Sequence, residues 1–466
     1  MGKNLLSIFI FVFISFLFSC KKDSFITSSG ARVNITDSIK FDTVFTTTGS
    51  VTKSFKIFND NSQKLLISKI KLAGGNTSSF KININGTAAV ELNDVEMEAN
   101  DSLYVFVSVN INPSTVNLPF IISDSIQVTY NGINRFVQLQ AYGQNAIFLR
   151  NTVISNNTTW NNLLPYVILD NIRVDTAAIL NISAGTKIYI HANAAFLVDG
   201  TLLLNGTKSQ KVLFTGDRLD EPYRNFPASW PGISIRGPSS NNIFNFAIIK
   251  NANQAIAISG LSLNANPKLI VRQTIIDNAI DAGLLCFNSN VQVSNTLISN
   301  CGSNIVIQSG GNYIFTHCTV ASYSNQYLMH SKPVLTASDF VIINGAVNYA
   351  PLDALFRNCI FWGDNNLTTS EVIINKQGTN PFNVTLDHCL YKAVNDPPNT
   401  TFISVIKNID PTFDSIDFSH NYFDFRVTKN ITAPGIGKGI LTSFPKDLDD
   451  NPRNIGLPDI GSYEKQ

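Results

Sequence analysis

From residue 39 to residue 143 apolar and polar residues alternate in short runs: IKFDTVF, SVTKSFKIFN, QKLLISKIKL, SFKINI, SLYVFVSVN, DSIQVTY and RFVQLQAYG. A period of two is that of a strand with one buried face, and the Asn, Gly and Asp between the runs are turn formers. About seven such strands in some ~110 residues predict an antiparallel β-sandwich over 33–143. From residue 144 the rhythm changes. In ILNISAGTKIYIHANAAFLVDGTLLLNGTKSQKVLFTG the apolar runs shorten to about four residues, turns recur between them, and no helical period survives. Strands this short are stable only when stacked coil upon coil, which predicts a parallel β-helix of about ten coils over 144–440.

Stacked coils repeat one residue type at one position. Aligning FNFAII, RQTIID, SNTLIS, THCTVA, RNCIFW and DHCLYK puts Asn245, Gln273, Asn295, His317, Asn358 and His388 in one column. Phe246, Thr274, Thr296, Cys318, Cys359 and Cys389 fill the next. Gln273, Asn295 and His317 stand 22 residues apart, the length of one coil, and the wider gaps leave room for loops. Neighbours on a strand point to opposite faces, so a His-Cys pair cannot easily chelate one metal. The expected arrangement is an inward ladder of Cys, Thr and Phe beside an outward or turn-facing column of amides and imidazoles, with no metal.

The N-terminus carries a different signal. After Lys3 an apolar run from Leu5 to Phe18 is too short for a ~20-residue membrane span and has the form of an export signal, residues 1–19. Its end, Leu17-Phe18-Ser19-Cys20, resembles the lipobox of bacterial lipoproteins. The resemblance implies cleavage before Cys20, acylation of that cysteine, and a membrane partner reached through the lipid. Lys21 and Lys22 stand where the family's inner-membrane retention cue, an Asp, would be, so the outer membrane is expected. Residues 20–32 form the anchor and a polar tether. The five other cysteines cannot all pair in an oxidising compartment, so a disulfide framework is not expected. With 14% charged residues and a formal charge of +1, nothing draws the chain to nucleic acid.

Three stretches resemble known families. GSVTKSFKIFNDNSQKLLISKIKL followed by NDSLYVFVSVNINP resembles immunoglobulin-like modules of the abnormal-spindle and hydin type, which usually serve as spacers. TWNNLLPYVILDNIRVDTAAILNISAGTKIYIHANAAFLVDG, with its NTLISNC coils, resembles the right-handed parallel β-helix repeat lipoproteins of Bacteroidetes-like bacteria. The tail DLDDNPRNIGLPDIGSYE resembles a C-terminal segment with D-x-D-G-x-P-R and D-I-G-A-Y-E patterns that closes many exported β-helices; Asn451 replaces the usual Gly of the first and Ser462 the usual Ala of the second. Residues 441–466 are therefore expected to cap the last coil, with Asp449, Asp450, Arg453, Asp459 and Glu464 ion-paired there or, in the other reading, holding calcium. The resemblances imply an all-β chain: an immunoglobulin-like β-sandwich, then a right-handed parallel β-helix of pectate-lyase-like type.

Both enzymes and binders use that fold. Pectate-lyase-like enzymes place calcium-binding carboxylates and a basic residue on one face, and polygalacturonase-like hydrolases use closely set Asp with a His. Neither pattern is legible among the single acids Asp277, Asp281, Asp353, Asp364 and Asp387, so no catalytic residue, cofactor or metal is assigned. One loop stands out: DRLDEPYRNFPASWP gathers Asp217, Arg218, Asp220, Glu221, Tyr223, Arg224, Phe226 and Trp230. Aromatics stack on sugar rings, and carboxylates and guanidinium groups fork hydrogen bonds to hydroxyls, so Asp217, Asp220, Glu221, Tyr223, Arg224 and Trp230 are candidate glycan contacts. The favoured alternative has Trp230 and Phe226 covering the end of a coil. The expected function is a non-catalytic envelope or surface protein that binds polysaccharide or an envelope protein through the β-helix; the alternative is a β-helical polysaccharide lyase or glycoside hydrolase.

Overall fold

Strands with one apolar face need a second layer to bury it. In the computed structural model, which describes residues 24–113, 119–364 and 367–466, the unit ending at Asn145 meets this need with two five-stranded sheets. Cys20 and the apolar run before it lie outside the described residues. One sheet runs Val33–Ile35, Lys53–Asn59, Ser102–Val109, Phe80–Ile84, Thr87–Ala88, all antiparallel. The other runs Ser38–Phe45, Ile133–Gln144, Phe120–Tyr130, Leu65–Leu72, Glu91–Met97, antiparallel except for its first pair. Alternation sets the core: Leu103, Val105, Val107 and Val109 are buried, and Tyr104 and Phe106 between them are exposed. This is the expected β-sandwich, with ten strands rather than seven.

The second unit, Ala146–Gln466, is a parallel β-helix with three faces. The first face is an eleven-stranded parallel sheet from Ile147–Leu149 to Ile406–Lys407. The second and third faces, which begin at Thr152–Ile154 and Thr158–Trp160, belong to one seventeen-stranded sheet, and in two coils the strands Ala282–Ser294 and Ser303–Thr316 pass between them without a break. Register keeps like over like. Ile249, Ile276, Ile298, Val320, Phe361 and Tyr391 stack in one inward column, all fully or almost fully buried. Burying each such side chain is worth roughly 1.5–3 kcal/mol.

The chain turns from the third face to the first on a single residue with positive φ. Phe246, Gln273, Asn295, His317, Asn358 and His388 have φ of 48, 46, 46, 53, 53 and 51°. Asn and His tolerate this left-handed region better than most residues, which explains the amides and imidazoles of the column. The sequence alignment is out by one residue in its first member. Asn245 ends a third-face strand opposite Arg272, and Phe246 makes the turn. Counting from the wrong residue also put Phe246 in the inward ladder, where Ala247 belongs.

That ladder is Ala247, Thr274, Thr296, Cys318, Cys359 and Cys389, all fully buried. Its polar members share one hydrogen bond. The hydroxyls of Thr274 and Thr296 donate to the carbonyl two residues back, each at 2.9 Å. The thiols of Cys318, Cys359 and Cys389 reach the equivalent carbonyls at 3.5, 3.2 and 3.6 Å. Cysteine here is a small apolar residue with a weak donor. All five described cysteines are free and buried. Burial pushes the thiols of Cys286, Cys301 and Cys359 far above their usual range, and a thiol that is not a thiolate does not react. Maleimide is therefore expected to leave Cys286, Cys301, Cys318, Cys359 and Cys389 unlabelled in the native protein and to label all five after denaturation, read by mass spectrometry. Fast native labelling of the ladder cysteines would contradict the inward packing.

Candidate functional site

Polar side chains at the first corner need partners that the coil itself does not supply. The C-terminal segment supplies them. Gln273 Nε2 donates to the Asp447 carbonyl at 3.1 Å, and Arg453 Nη2 donates to Asn295 Oδ1 at 2.9 Å. The Thr442 hydroxyl meets His317 Nε2 at 3.1 Å, and Asn358 exchanges two bonds with the Ile440 backbone at 2.7 and 2.9 Å. Residues 440–466 thus run along the side of the β-helix over the corner column; they do not cap the last coil as expected. The segment is braced internally: Arg453 pairs with Glu464 at 3.0 Å, and Asp447 and Asp459 accept backbone N–H groups. Asp449 pairs with Arg426, and Asp450 with Lys446. These carboxylates are engaged by cations and amides, which is the ion-paired reading without the cap. Among the described residues no group of three or more His, Cys, Asp or Glu is placed to hold a metal.

Burial and its Asn358 partner favour the neutral form of His317. Asn358 Oδ1 accepts from the Ile440 N–H, so its Nδ2 must be the group donating to His317 Nε2, at 3.0 Å. Burial, and then the nearby Arg453, hold the imidazole well below its usual pKa.

A second corner, from the first face to the second, turns on Asn251, Asn278 and Asn300, with φ of 64, 56 and 50°. Here the loop from Asp217 to Pro231 supplies the partners. Asn251 Nδ2 donates to the Arg224 carbonyl at 2.8 Å and Asn278 Nδ2 to the Asn225 carbonyl at 2.9 Å. The loop backbone returns bonds from Ser229 and Ala228 to the carbonyls of Asn251 and Ala252. The loop is therefore laid down on the corner and does not project. Its re-entry needs Gly232, with φ of 115°, where a Cβ would stand 1.6 Å from the Gln254 carbonyl oxygen.

The candidate contacts fare differently in this loop. Trp230 is fully buried, its ring stacked on Phe214 at 6.2 Å and its N–H donating to the Lys250 carbonyl at 2.9 Å. It plugs a coil and is withdrawn as a ligand contact. Tyr223 is 43% exposed, with Arg218 over its ring at 4.0 Å and Phe226 beside it at 5.2 Å. Phe226 bridges onward to Tyr327 at 5.1 Å. Asp217 bonds His191 at 2.8 Å, Asp220 takes a two-pronged pair from Arg218 at 2.7 and 2.8 Å, and Glu221 pairs with Arg224. The six candidates are thus split between one core residue and five residues of a loop whose carboxylates are paired with His191, Arg218 and Arg224.

Beside the loop lies a cavity of about 150 Å³ that sequence reading missed. Asn225, Lys250, Asp277, Asn278, Asn421 and Phe423 are among its lining. Two of its amide oxygens, Asn278 Oδ1 and Asn421 Oδ1, are buried without a partner. Such an acceptor costs about 1–3 kcal/mol when nothing donates to it.

The scattered acids do not converge. Asp281 bonds Gln254 at 2.7 Å, Asp364 accepts the Ser324 N–H at 2.7 Å, and Asp353 is exposed. Against the effect of burial, hydrogen bonds from His388 and Arg357 hold Asp387 below the usual carboxylate range. Sequence reading also missed a buried network of Glu371, His330 and Lys392, with His330 Nε2 3.0 Å and Lys392 Nζ 3.5 Å from Glu371 Oε1. Lys392 further donates to the carbonyls of Gly363 and Asp364 at 2.9 and 2.6 Å, so the network clasps the loop after the first face.

No family model and no curated protein matches this chain. Among solved structures, it is similar to a family 123 glycoside hydrolase from Clostridium perfringens, studied for glycolipid glycan hydrolysis, at 14% identity and a TM-score of 0.18. The similarity covers 26% of this chain and 26% of that one.

Neutral His317 has a consequence for stability. Its pKa is depressed on folding, so below about pH 6.5 the unfolded ring binds a proton that the folded ring does not. Stability contributed here is complete above that pH and falls as acid is added, by up to about 1.4 kcal/mol per pH unit. His317→Asn, which keeps a residue suited to the left-handed turn, should flatten the fall in melting temperature between about pH 6.5 and pH 5. Identical pH profiles for the two proteins would contradict the neutral, tail-bound imidazole.

Proposed function

We propose that this chain is an exported lipoprotein, held at the outer membrane by acylated Cys20, whose β-helix binds glycan at the second corner without cleaving it. The reading rests on the carboxylates of that corner. Asp217 is tied to His191, Asp220 to Arg218, Glu221 to Arg224, and Asp277 to Ser299 at 2.7 Å. A glycosidase needs one protonated carboxyl and one carboxylate facing each other across the scissile bond. A binder needs amides, hydroxyls and an aromatic edge fixed in advance, because ordering them on binding would cost affinity. The asparagine column, the self-paired loop and the exposed part of Tyr223 fit the second need. In this reading the β-sandwich is the spacer between lipid and β-helix.

The test uses the full-length chain extracted in detergent and applied to an array of bacterial and plant polysaccharides. It should bind at least one glycan and release neither reducing nor unsaturated sugar ends. Tyr223→Ala should weaken that binding by about 1 kcal/mol with little change in melting temperature. Trp230→Ala should instead destabilise the fold by about 3–5 kcal/mol, as expected for an emptied core site. Cys20→Ser should leave the membrane fraction. Release of sugar ends would replace the binder with an enzyme, and a membrane-bound Cys20→Ser variant would remove the anchor.

A further inference from the structure

The asparagine column of the second corner breaks where it meets the cavity. Asn251 and Asn278 obey one pattern: each side-chain nitrogen donates to a loop carbonyl and to a side-chain oxygen of the preceding coil. For Asn251 that oxygen is Thr215 Oγ1 at 3.3 Å, and for Asn278 it is Asn251 Oδ1 at 2.9 Å. Asn300, next in the column, would complete the series by donating to Asn278 Oδ1. It turns away instead. Its oxygen accepts the Tyr323 N–H at 3.2 Å. Asn278 Oδ1 is left buried and unpartnered, and the hydrogen bonds of its Nδ2 to Asn225 and Asn251 fix which end of the amide is the oxygen. Asn421 Oδ1, on the far hairpin that carries Phe423, is unpartnered as well.

The cavity presents two unpartnered amide oxygens, the Asp277 carboxyl, the Lys250 ammonium and the Phe423 ring, and Asn225, Asn251, Asn300 and Asn325 complete the lining. What fits must bring several donors, accept at least one hydrogen bond, and tolerate an apolar wall. A divalent cation would meet the oxygens but fit the site poorly, since calcium wants 6–8 oxygen ligands and the site offers one carboxyl group beside an ammonium. At about 150 Å³ the space suits a molecule of the size of one sugar ring and not a length of chain. We propose that this cavity is a subsite for one neutral pyranose ring, whose hydroxyls donate to Asn278 Oδ1 and Asn421 Oδ1 and accept from Lys250, with Phe423 against its apolar face.

The inference deepens the glycan reading and rests on it, so the experiment separates the two. Glucose, galactose, mannose and N-acetylglucosamine are titrated singly into the full-length chain in detergent, with melting temperature and saturation-transfer NMR as readouts and calcium chloride as a parallel arm. Asn421→Gly keeps the positive φ of that position, 51°, and removes the amide oxygen. Lys250→Met keeps the stem and removes the charge. At least one sugar should bind the unmutated protein, and each variant should weaken it about threefold to tenfold at unchanged melting temperature of the free protein. If polysaccharide binds the array but no monosaccharide binds, or if both variants bind as the parent does, the cavity is not the subsite and the glycan reading stands. If a monosaccharide binds at the cavity and the array is blank, the subsite stands and the polysaccharide reading falls. Stabilisation by calcium alone would overturn the sugar in favour of a cation.

Discussion

Everything in the β-helical unit depends on how a coil turns its corner. Three short faces can close into a coil only if the backbone bends between them, and in six coils at the first corner and three at the second the bend is made by one residue in the left-handed region. That region favours Gly, Asn and, to a lesser degree, His. Each choice has a consequence beyond the turn. Gly would satisfy the backbone and leave nothing behind, whereas Asn, Gln and His add side-chain donors and acceptors at a position half withdrawn from water. Stacking then multiplies the problem, because the same polar group recurs at the same place in successive coils.

The chain resolves it twice, by different means. Over the first corner the C-terminal segment lies as a strap, meeting Gln273, Asn295, His317 and Asn358 one after another and holding itself together through buried Arg453 and Glu464. Over the second corner the loop from Asp217 to Pro231 satisfies Asn251 and Asn278 with its own carbonyls but stops short of Asn300. The second corner keeps two unmatched amide oxygens beside a cavity of about 150 Å³; at the first, the strap leaves a cavity of about 340 Å³, and His317 Nδ1, Arg453 Nε and Ser462 Oγ are buried without partners.

Much of the architecture was legible in the sequence for a simple reason: strand alternation and coil repetition are local and periodic. The Thr and Cys ladder was visible as a column, and its one-residue slip at Asn245 arose because nothing local marks Phe246, an unusual left-handed residue, as the turn. The fate of the polar column was not legible. Its partners, such as Thr442 for His317 and Arg453 for Asn295, lie far along the chain, and no spacing rule connects them. Trp230 was a candidate contact, with burial over a coil as the favoured alternative, and the structure shows the burial. It stands among charges in the sequence, but the parallel bridge from Trp230 to Ala252 carries it into the coil, where its ring meets Phe214. The cavity was invisible because its lining comes from the first face, two loops and the hairpin at 415–424, and its defining feature is a hydrogen bond that Asn300 does not make.

The claim that the corner column depends on the strap is tested most directly by hydrogen exchange in the Arg453→Met variant of the full-length chain. The substitution keeps an unbranched side chain and removes the guanidinium that joins Asn295 to Glu464 and the carbonyls of Gly461 and Ser462. The account predicts that peptides containing the corner amides of Gln273, Asn295, His317 and Asn358 exchange about tenfold faster or more, together with the strap, a local loss of about 1.4 kcal/mol or more. The β-sandwich should be unaffected. Faster exchange confined to residues 440–466, with the four corner amides as protected as before, would contradict it.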